Sequence, residues 1–408
     1  MSTYKQSVFG EIPNTWDVIE ADKYCEKVTD GTHDSPKQTA EGYPLITSRH
    51  IKGHKIDFDN AYLISKEDYD HINKRSYVSQ WDVIISMIGE YCGFTYLEEK
   101  SDINYAIKNV GLFKTGDELK SKWLYYFFQS KYTNHLLHTY RSGTSQPYLA
   151  LGVLRKFPIL IPQNHEEKES IVAILDSLRK KIKLLQAQNK TLEAMAQTIF
   201  KEWFGKYQMG DELPEGWRVG EFGELFNLTM GLSPKGDSYN FDMIGVPLLN
   251  GAGDYTGEKL DPKRYTSKPT RINKVGDLVF CIRGTIGKIV FADKEYCLGR
   301  GVAALSPKES NDKYFNYIKL KRIVDELTRN ATGSVILGLS KDDIKKARLI
   351  LPSRTKLDEF SGVVKPIFDK IEINQNQIQS LNKIRDTLLP KLMSGQVRVN
   401  NIKQTADA

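Results

Sequence analysis

Cysteine is scarce. Only Cys25, Cys92, Cys281 and Cys297 occur in 408 residues. They are too few and too scattered for a disulfide scaffold, and no C-x-x-C pair offers a zinc site. No apolar run approaches the ~18 residues that a membrane span needs, and no basic-then-apolar leader opens the chain. These absences lead us to expect a soluble protein of a reducing cytoplasm. Catalytic signatures are missing as well. There is no Pro-Pro anywhere, and hence no Asn/Asp-Pro-Pro-aromatic motif of the amino-methyltransferases. There is no G-x-G-x-x-G and no H-E-x-x-H. The nearest approach to a P-loop, Gly284-Thr285-Ile286-Gly287-Lys288, is too short, and Ile289 follows it where a Ser or Thr would hold Mg²⁺. Glu98-Glu99-Lys100 and Glu166-Glu167-Lys168 match the Glu-x-Lys half of a nuclease metal site, but neither has a placed Asp partner. A binding protein without catalytic machinery or metal of its own is the expectation.

What the chain does have is itself, twice. The opening Ile12-Pro13-Asn14-Thr15-Trp16 returns as Leu213-Pro214-Glu215-Gly216-Trp217. Thr29, Gly31, Ser35 and Pro36 return as Thr229, Gly231, Ser233 and Pro234. Pro44–Thr47 returns as Pro247–Asn250, Asp82–Ile85 as Asp277–Phe280, and Lys156–Pro162 as Lys346–Pro352. One such match is chance. An ordered set means two tandem copies of one unit of about 200 residues. Within each copy, short β-branched and aromatic runs such as Val83–Ile85 and Ile286–Phe291 are punctuated by Gly, Pro, Asn and Asp. Helical stretches near Lys122–His138 and Lys313–Leu327 make each globule α+β.

A long helix follows each globule. From Glu166 to Phe204 the apolar residues alternate spacings of four and three, as in a coiled-coil seam. Leu178, Ile182, Leu185 and Leu192 lie on it, with Asn189 as its polar member. The second copy repeats the pattern through Ile367, Ile371, Ile378 and Leu381, with Asn374 and Arg385 as polar members. Pro366 lies early in the second helix, where a first turn tolerates it or a kink results. At ~1.5 Å per residue each helix spans roughly 58 Å, and its twin in the same chain is the nearest partner. The expected architecture is two α+β globules, 1–164 and 205–352, joined by two antiparallel coiled-coil helices, 165–204 and 353–400, in a pseudo-two-fold arrangement.

Charge is uneven beneath a mild total. The chain carries a net +7, yet residues 1–204 balance their acids and bases, so the whole surplus belongs to residues 205–408. In each copy Lys and Arg outnumber Asp and Glu in the later part of the globule, over 101–156 and 251–350. Such local excess is the footprint that phosphate contact requires, since each neutralised phosphate releases counterions. Loops of Gly, Ser, Thr, Asn and Gln lie beside it, at Tyr140–Gln146, Ile282–Lys288 and Arg329–Ser334. Each can also be an ordinary turn. His33 and His50 read as surface or capping residues rather than ligands.

Taken together these residues resemble the specificity subunit of type I restriction-modification systems. The doubled Pro-x-x-Trp start, Asp30-Gly31-Thr32-His33-Asp34-Ser35-Pro36, Ser142-Gly143-Thr144-Ser145-Gln146 before Lys156–Pro162, Asp277–Phe280 with Gly284–Gly287, and the two seam helices carry the resemblance over nearly the whole chain. The first copy departs at Gly89–Gly93, one residue longer than its counterpart. The resemblance implies that each globule is a target-recognition domain reading half of a bipartite, asymmetric site in double-stranded DNA. It implies that the helices set the spacer and dock two modification subunits, which bring S-adenosylmethionine and methylate a flipped adenine. Restriction subunits would add ATP- and Mg²⁺-dependent translocation and cleavage, and this chain would bind no cofactor. By composition and position the DNA-contacting candidates are Arg49, Lys52, Arg141, Thr144 and Gln146 in the first globule. In the second they are Asn250, Lys263, Arg264, Arg283, Thr285 and Lys288. Three rivals share parts of the pattern: a related bipartite system whose methylase and nuclease share one partner chain, a stand-alone nuclease, and a scaffold that binds no DNA.

Overall fold

The computed structural model describes residues 3–53, 55–143, 146–256, 259–284, 286–330 and 338–399. The chain divides into two compact units, residues 1–184 with 377–408, and residues 185–376. Each unit therefore holds one globule and a half of each long helix.

The first unit contains a four-stranded antiparallel sheet in the order Thr95–Leu97, Val83–Ser86, Val110–Lys114, Lys27–Asp30. Beside it lies a sheet of Ala106–Lys108, Tyr43–Thr47 and Leu63–Ile64, whose first two strands run parallel. A pair, Pro158–Pro162 with Trp16–Glu20, closes the globule. The second unit repeats this strand for strand. Ile289–Phe291, Leu278–Cys281, Val302–Pro307 and Phe226–Met230 follow in the same order. Cys297–Leu298 again runs parallel to Val246–Leu249, beside Arg264–Thr266. Arg218–Glu221 pairs with Arg348–Leu351. One strand, Tyr239–Asn240, is added at the edge beyond Arg264–Thr266. The tandem repeat seen in the residues is thus a repeat of topology.

Central strands such as Val83–Ser86 and Leu278–Cys281 are buried along their length, which suits their unbroken apolar character. In the first unit the helix Glu118–Gln129 is buried from Ser121 to Phe128. It starts where Asp117 accepts from the Lys120 amide at 2.7 Å. It stops at Ser130, whose hydroxyl then caps the next helix, Lys131–Tyr140, by accepting from Thr133 N. The long stretch expected over Lys122–His138 is therefore two helices. Trp123 anchors the core by donating to Leu160 O at 2.9 Å.

The two long helices are His165–Phe204 and Arg354–Met393. The first begins where the Asn164 side chain accepts from the amides of Glu166 and Glu167. In the second unit the helices run antiparallel: Asn189 meets Asn374, while Phe200, further along the first helix, meets Phe360, further back on the second. Trp203 and Phe204, both half-buried, pack there with Phe360 against the globule's core. Pro366 lies thirteen residues into a helix that continues through it, so of the two expected outcomes, a first-turn place or a kink, the first does not hold. Pro366 is exposed on the solvent side of the helix. Of the seam residues, Ile182, Leu185, Asn189 and Asn374 are buried, while Leu178, Leu192, Ile367, Ile371, Ile378 and Leu381 are half-buried. Among the described residues, no helix is long and apolar enough to cross a membrane.

Candidate nucleic-acid interface

In each unit the loops at one end of the parallel strand pair converge, and backbone bonds lock them together. In the first unit Ser48 is the hub. Its hydroxyl donates to Asn109 O at 2.7 Å and accepts from the amides of Met87 and Ile88, each at 3.1 Å. Gly31 N donates to Val110 O and Thr32 N to Ile107 O. A Cβ on Gly31 would lie 2.3 Å from Ile107 O, so only glycine allows this approach. Gly89 N donates to Pro147 O, which draws in the loop that follows Arg141. Five loops, around Gly31, Ser48, Ile88, Asn109 and Pro147, thereby share one junction.

The side chains on it have distinct duties. His50 is buried and accepts from Thr47 N through Nδ1 at 3.0 Å, as a cap. Burial and the Arg49 guanidinium beside it lower its affinity for a proton. Arg49 itself is exposed, with no ion pair among the described residues. His33 is held from both sides, 3.0 Å from buried Asp30 and 3.0 Å from Asn109 Oδ1. Asn109 has φ 54°, a left-handed conformation that a non-glycine residue rarely adopts. Lys108 reaches Ser35 Oγ. His33, Lys108 and Asn109 are the residues at this junction that sequence reasoning passed over as contacts. Their only signal is Asn109, an Asn directly before a buried strand, a type that tolerates the left-handed region.

Two of the candidates are already engaged. Arg141 donates to Cys92 O and lies 3.0 Å from His138 Nδ1, so it braces the 87–93 loop. Lys52 forms an ion pair with Asp57 at 2.7 Å, and Asn60 holds the same carboxylate. Gln146 is exposed. Thr144 lies outside the described residues.

The second unit builds the same junction from different residues. Gly231 N donates to Val302 O, Leu232 N to Leu298 O, Gly299 N to Leu249 O, and Ile282 N to Gly301 O. A Cβ on Gly231 would sit 2.0 Å from Gly299 O, and one on Gly301 would sit 1.9 Å from Asn250 O. Asn250 N donates to Asp254 Oδ2 at 2.6 Å, closing the turn that Ser48–His50 forms in the first unit. Arg271 donates to Met230 O. Arg283 and Arg300 are exposed and have no ion pair among the described residues. Arg300 was not a candidate from sequence, and it stands where the first unit places Lys108 and Asn109. Lys288 donates to Ala252 O and covers the Tyr255 ring. Lys263 is paired with Asp261 at 2.6 Å. Arg264 lies along the sheet from the junction, its guanidinium 5.9 Å from the Phe241 ring centre. Thr285 and residues 331–337, which include much of the Arg329–Ser334 loop, lie outside the described residues.

The nuclease-like strings are structural in this fold. Buried Glu98 accepts from Tyr105 OH and Lys100 N, and Glu99 pairs with Arg179 and Lys183. Glu167 accepts from Trp16 Nε1 and from Arg398 at 2.6 and 2.9 Å.

Comparison with known proteins follows the same duplication. A model of the type I restriction modification DNA specificity domain matches twice, over residues 13–194 and 214–383. The type I restriction enzyme MjaIX specificity subunit of Methanocaldococcus jannaschii is 26% identical over 438 residues, covering 98% of this chain and 97% of the relative. The MjaVIII specificity subunit of the same organism is 23% identical over 442 residues, covering 98% and 99%. The crystal structure of a type I restriction-modification system S subunit from M. genitalium shares the fold, with a TM-score of 0.58 at 18% identity over 96% of this chain and 99% of the other.

Proposed function

We propose how this chain, which belongs to the type I restriction-modification DNA specificity family, finds its target. It is a specificity subunit, and its two α+β globules are target-recognition domains. Each reads one half of a bipartite, asymmetric double-stranded DNA site in the cytoplasm. Exposed Arg49 and Gln146, with His33, Lys108 and Asn109, face one half. Asn250, Arg283 and Arg300, with Lys288 at the margin, face the other. Planar Asn, Gln and Arg groups can read adenine and guanine edges, and Lys and the remaining Arg hold phosphates. Lys52, Arg141 and Lys263 serve mainly to shape the loops, since Lys52 and Lys263 are paired with Asp57 and Asp261 and the Arg141 guanidinium is held by Cys92 O and His138.

The long helices set the distance between half-sites and dock two modification subunits. S-adenosylmethionine, ATP and Mg²⁺ are bound by those and by the restriction subunits, and this chain contributes address rather than chemistry. The observation that carries the reading is the loop junction built twice on one topology, with uncompensated arginines at each. Sequencing the adenine methylation of the source strain, with and without this chain, tests it. A two-part motif that vanishes on deletion is the expected result. Unchanged methylation overturns the reading.

A further inference from the structure

The second globule carries a feature that its twin lacks. Between Ser-Pro and the glycine that opens the inner parallel strand, the first copy has Lys37–Glu41 and the second has Lys235–Ile244, five residues more. The first segment holds no large apolar residue. The extra length in the second forms the edge strand Tyr239–Asn240 and a tight turn. At its tip Phe241, Met243 and Ile244 are 71, 73 and 59% exposed. Three large apolar side chains so open within four residues are a cost unless something covers them.

The turn is built rather than loose. Asn240 Oδ1 accepts from Asp242 N at 3.2 Å and Ile244 N at 3.0 Å, while its Nδ2 donates to Ile244 O at 2.9 Å. Met243 takes φ 61°, a strained value for a side chain of its size. Gly245 then passes so close to Thr266 O that a Cβ there would lie 2.2 Å from it. The apolar tip is thus held outward in one conformation.

We propose that this turn is a wedge that enters the base stack of the DNA beside the second half-site. The inference rests on the recognition reading above and deepens it. Charge favours DNA over a protein face. The Arg264 guanidinium lies over the Phe241 ring, and with Lys235 and Lys268 it sets three cations around the turn against the two carboxylates of Asp237 and Asp242. Continuity favours it too. Strand Val246–Leu249 runs from the turn straight to Asn250 at the loop junction, about 14 Å at ~3.4 Å per residue, or roughly four base-pair steps. Apolar side chains that enter from the minor groove part a base step and kink the duplex toward its major groove, and a neighbouring arginine can hold the backbone beside the kink. The first globule, with no such turn, holds its half-site without bending it.

The test uses the chain assembled with its modification subunits and duplexes carrying the motif found by methylation sequencing. One duplex is intact, and another has a one-nucleotide gap at the step flanking the second half-site. Affinity and end-to-end distance by energy transfer are read for wild type and for Phe241→Ala/Met243→Ala, both exposed positions. The wedge predicts that the variant loses the bend and about tenfold or more in affinity on intact DNA, with most of that recovered on gapped DNA. An unchanged bend and affinity overturns it. So does an equal loss on both duplexes, which means surface contact alone. Failure of the variant to assemble with the modification subunits makes the turn a protein-docking loop and overturns it as well. If wild type does not prefer the motif over scrambled DNA, the recognition reading falls, and the wedge with it.

Discussion

The polar layer between the long helices in the second unit is predicted to be poor in stability and rich in register. Asn374 Nδ2 donates to Asn189 Oδ1 at 2.9 Å, and both residues are buried. The other bonds are at the limit of reach: Asn189 Nδ2 to Ile371 O at 3.5 Å and Asn374 Nδ2 to Gln188 Oε1 at 3.4 Å. Asn374 Oδ1 has no partner among the described residues. One good bond contributes about 1 kcal/mol, and one buried unpaired oxygen costs about 1–3 kcal/mol, so the layer is neutral at best. Asn374→Leu alone strands the Asn189 amide and is expected to destabilise the second unit by about 1–3 kcal/mol. Asn189→Leu/Asn374→Leu removes both amides and is expected to equal or exceed wild type in stability. Urea unfolding followed by the fluorescence of Trp203 and Trp217 would measure this. The reasoning fails if the double variant loses the sum of the two single losses, because then no pairing couples them. The same double variant should discriminate less sharply between DNA spacers, since a buried Asn pair penalises shifted helix registers.

Arg283→Ala should weaken cognate DNA binding and reduce the salt slope by about one, and Gln146→Ala should weaken it with the slope unchanged. Cognate affinity unaffected by either at several salt concentrations would remove both from the interface. Removing one turn from the first long helix shortens it by roughly 5.4 Å, and the preferred spacer should change by one or two base pairs. An unaltered spacer would end the ruler idea. Asp176 makes the first unit acid-sensitive. Burial pushes its carboxyl up, but bonds from Lys122, Arg179 and Lys180 outweigh burial and hold it well below the usual carboxylate range. Its stabilisation is therefore full above the ordinary value of 3.8 and is lost as pH falls through the depressed one. Asp176→Asn should be less stable than wild type at pH 7, and the gap should narrow below about pH 3. A gap constant between pH 7 and 2 would show that the charge is not what matters.

The duplication was legible because it left marks that physics demands in both copies. Gly31 and Gly231 recur since each passes a carbonyl too closely for any side chain. The Asp82 and Asp277 strings recur since each opens the most buried strand of its sheet. The helices were legible from spacing, though not their ends of contact: Phe200, one of the aromatics that meet Phe360, sits next to Ile199, and a heptad count cannot choose between neighbours. The junction was half legible. Arg49, Gln146, Asn250 and Arg283 stand on it, but the pairing of Tyr43–Thr47 with Ala106–Lys108 joins segments some sixty residues apart, so nothing local placed Asn109 or Lys108 there. Residue type also hid engagement. Arg141 and Lys52 look like free cations in a string of letters, and only the fold supplies Cys92 O and Asp57.

The division between what recurs and what differs would let one chain read two unlike half-sites. The bonds that join the junction loops to one another are made largely by backbone groups and small side chains, glycine amides, Ser48 Oγ, Asn250 N and Ser233 Oγ, while Arg141, Arg271 and Lys288 add braces onto Cys92 O, Met230 O and Ala252 O. The backbone and small-side-chain joins do not depend on the exposed long side chains of Arg49, Gln146, Arg283 and Arg300. Those have diverged at equivalent places: His33, Lys108 and Asn109 on one junction, glycines with Arg300 on the other, and an apolar turn on the second globule alone. Because the framework is held from beneath, substitutions on its outer surface leave the loop positions intact. Replacing Arg300 or Arg49 should therefore alter the sequence read at one half-site without altering the spacer or the other half. If either substitution relaxed both half-sites equally, reading and framework would not be separable, and the economy of the duplicated design would need another explanation.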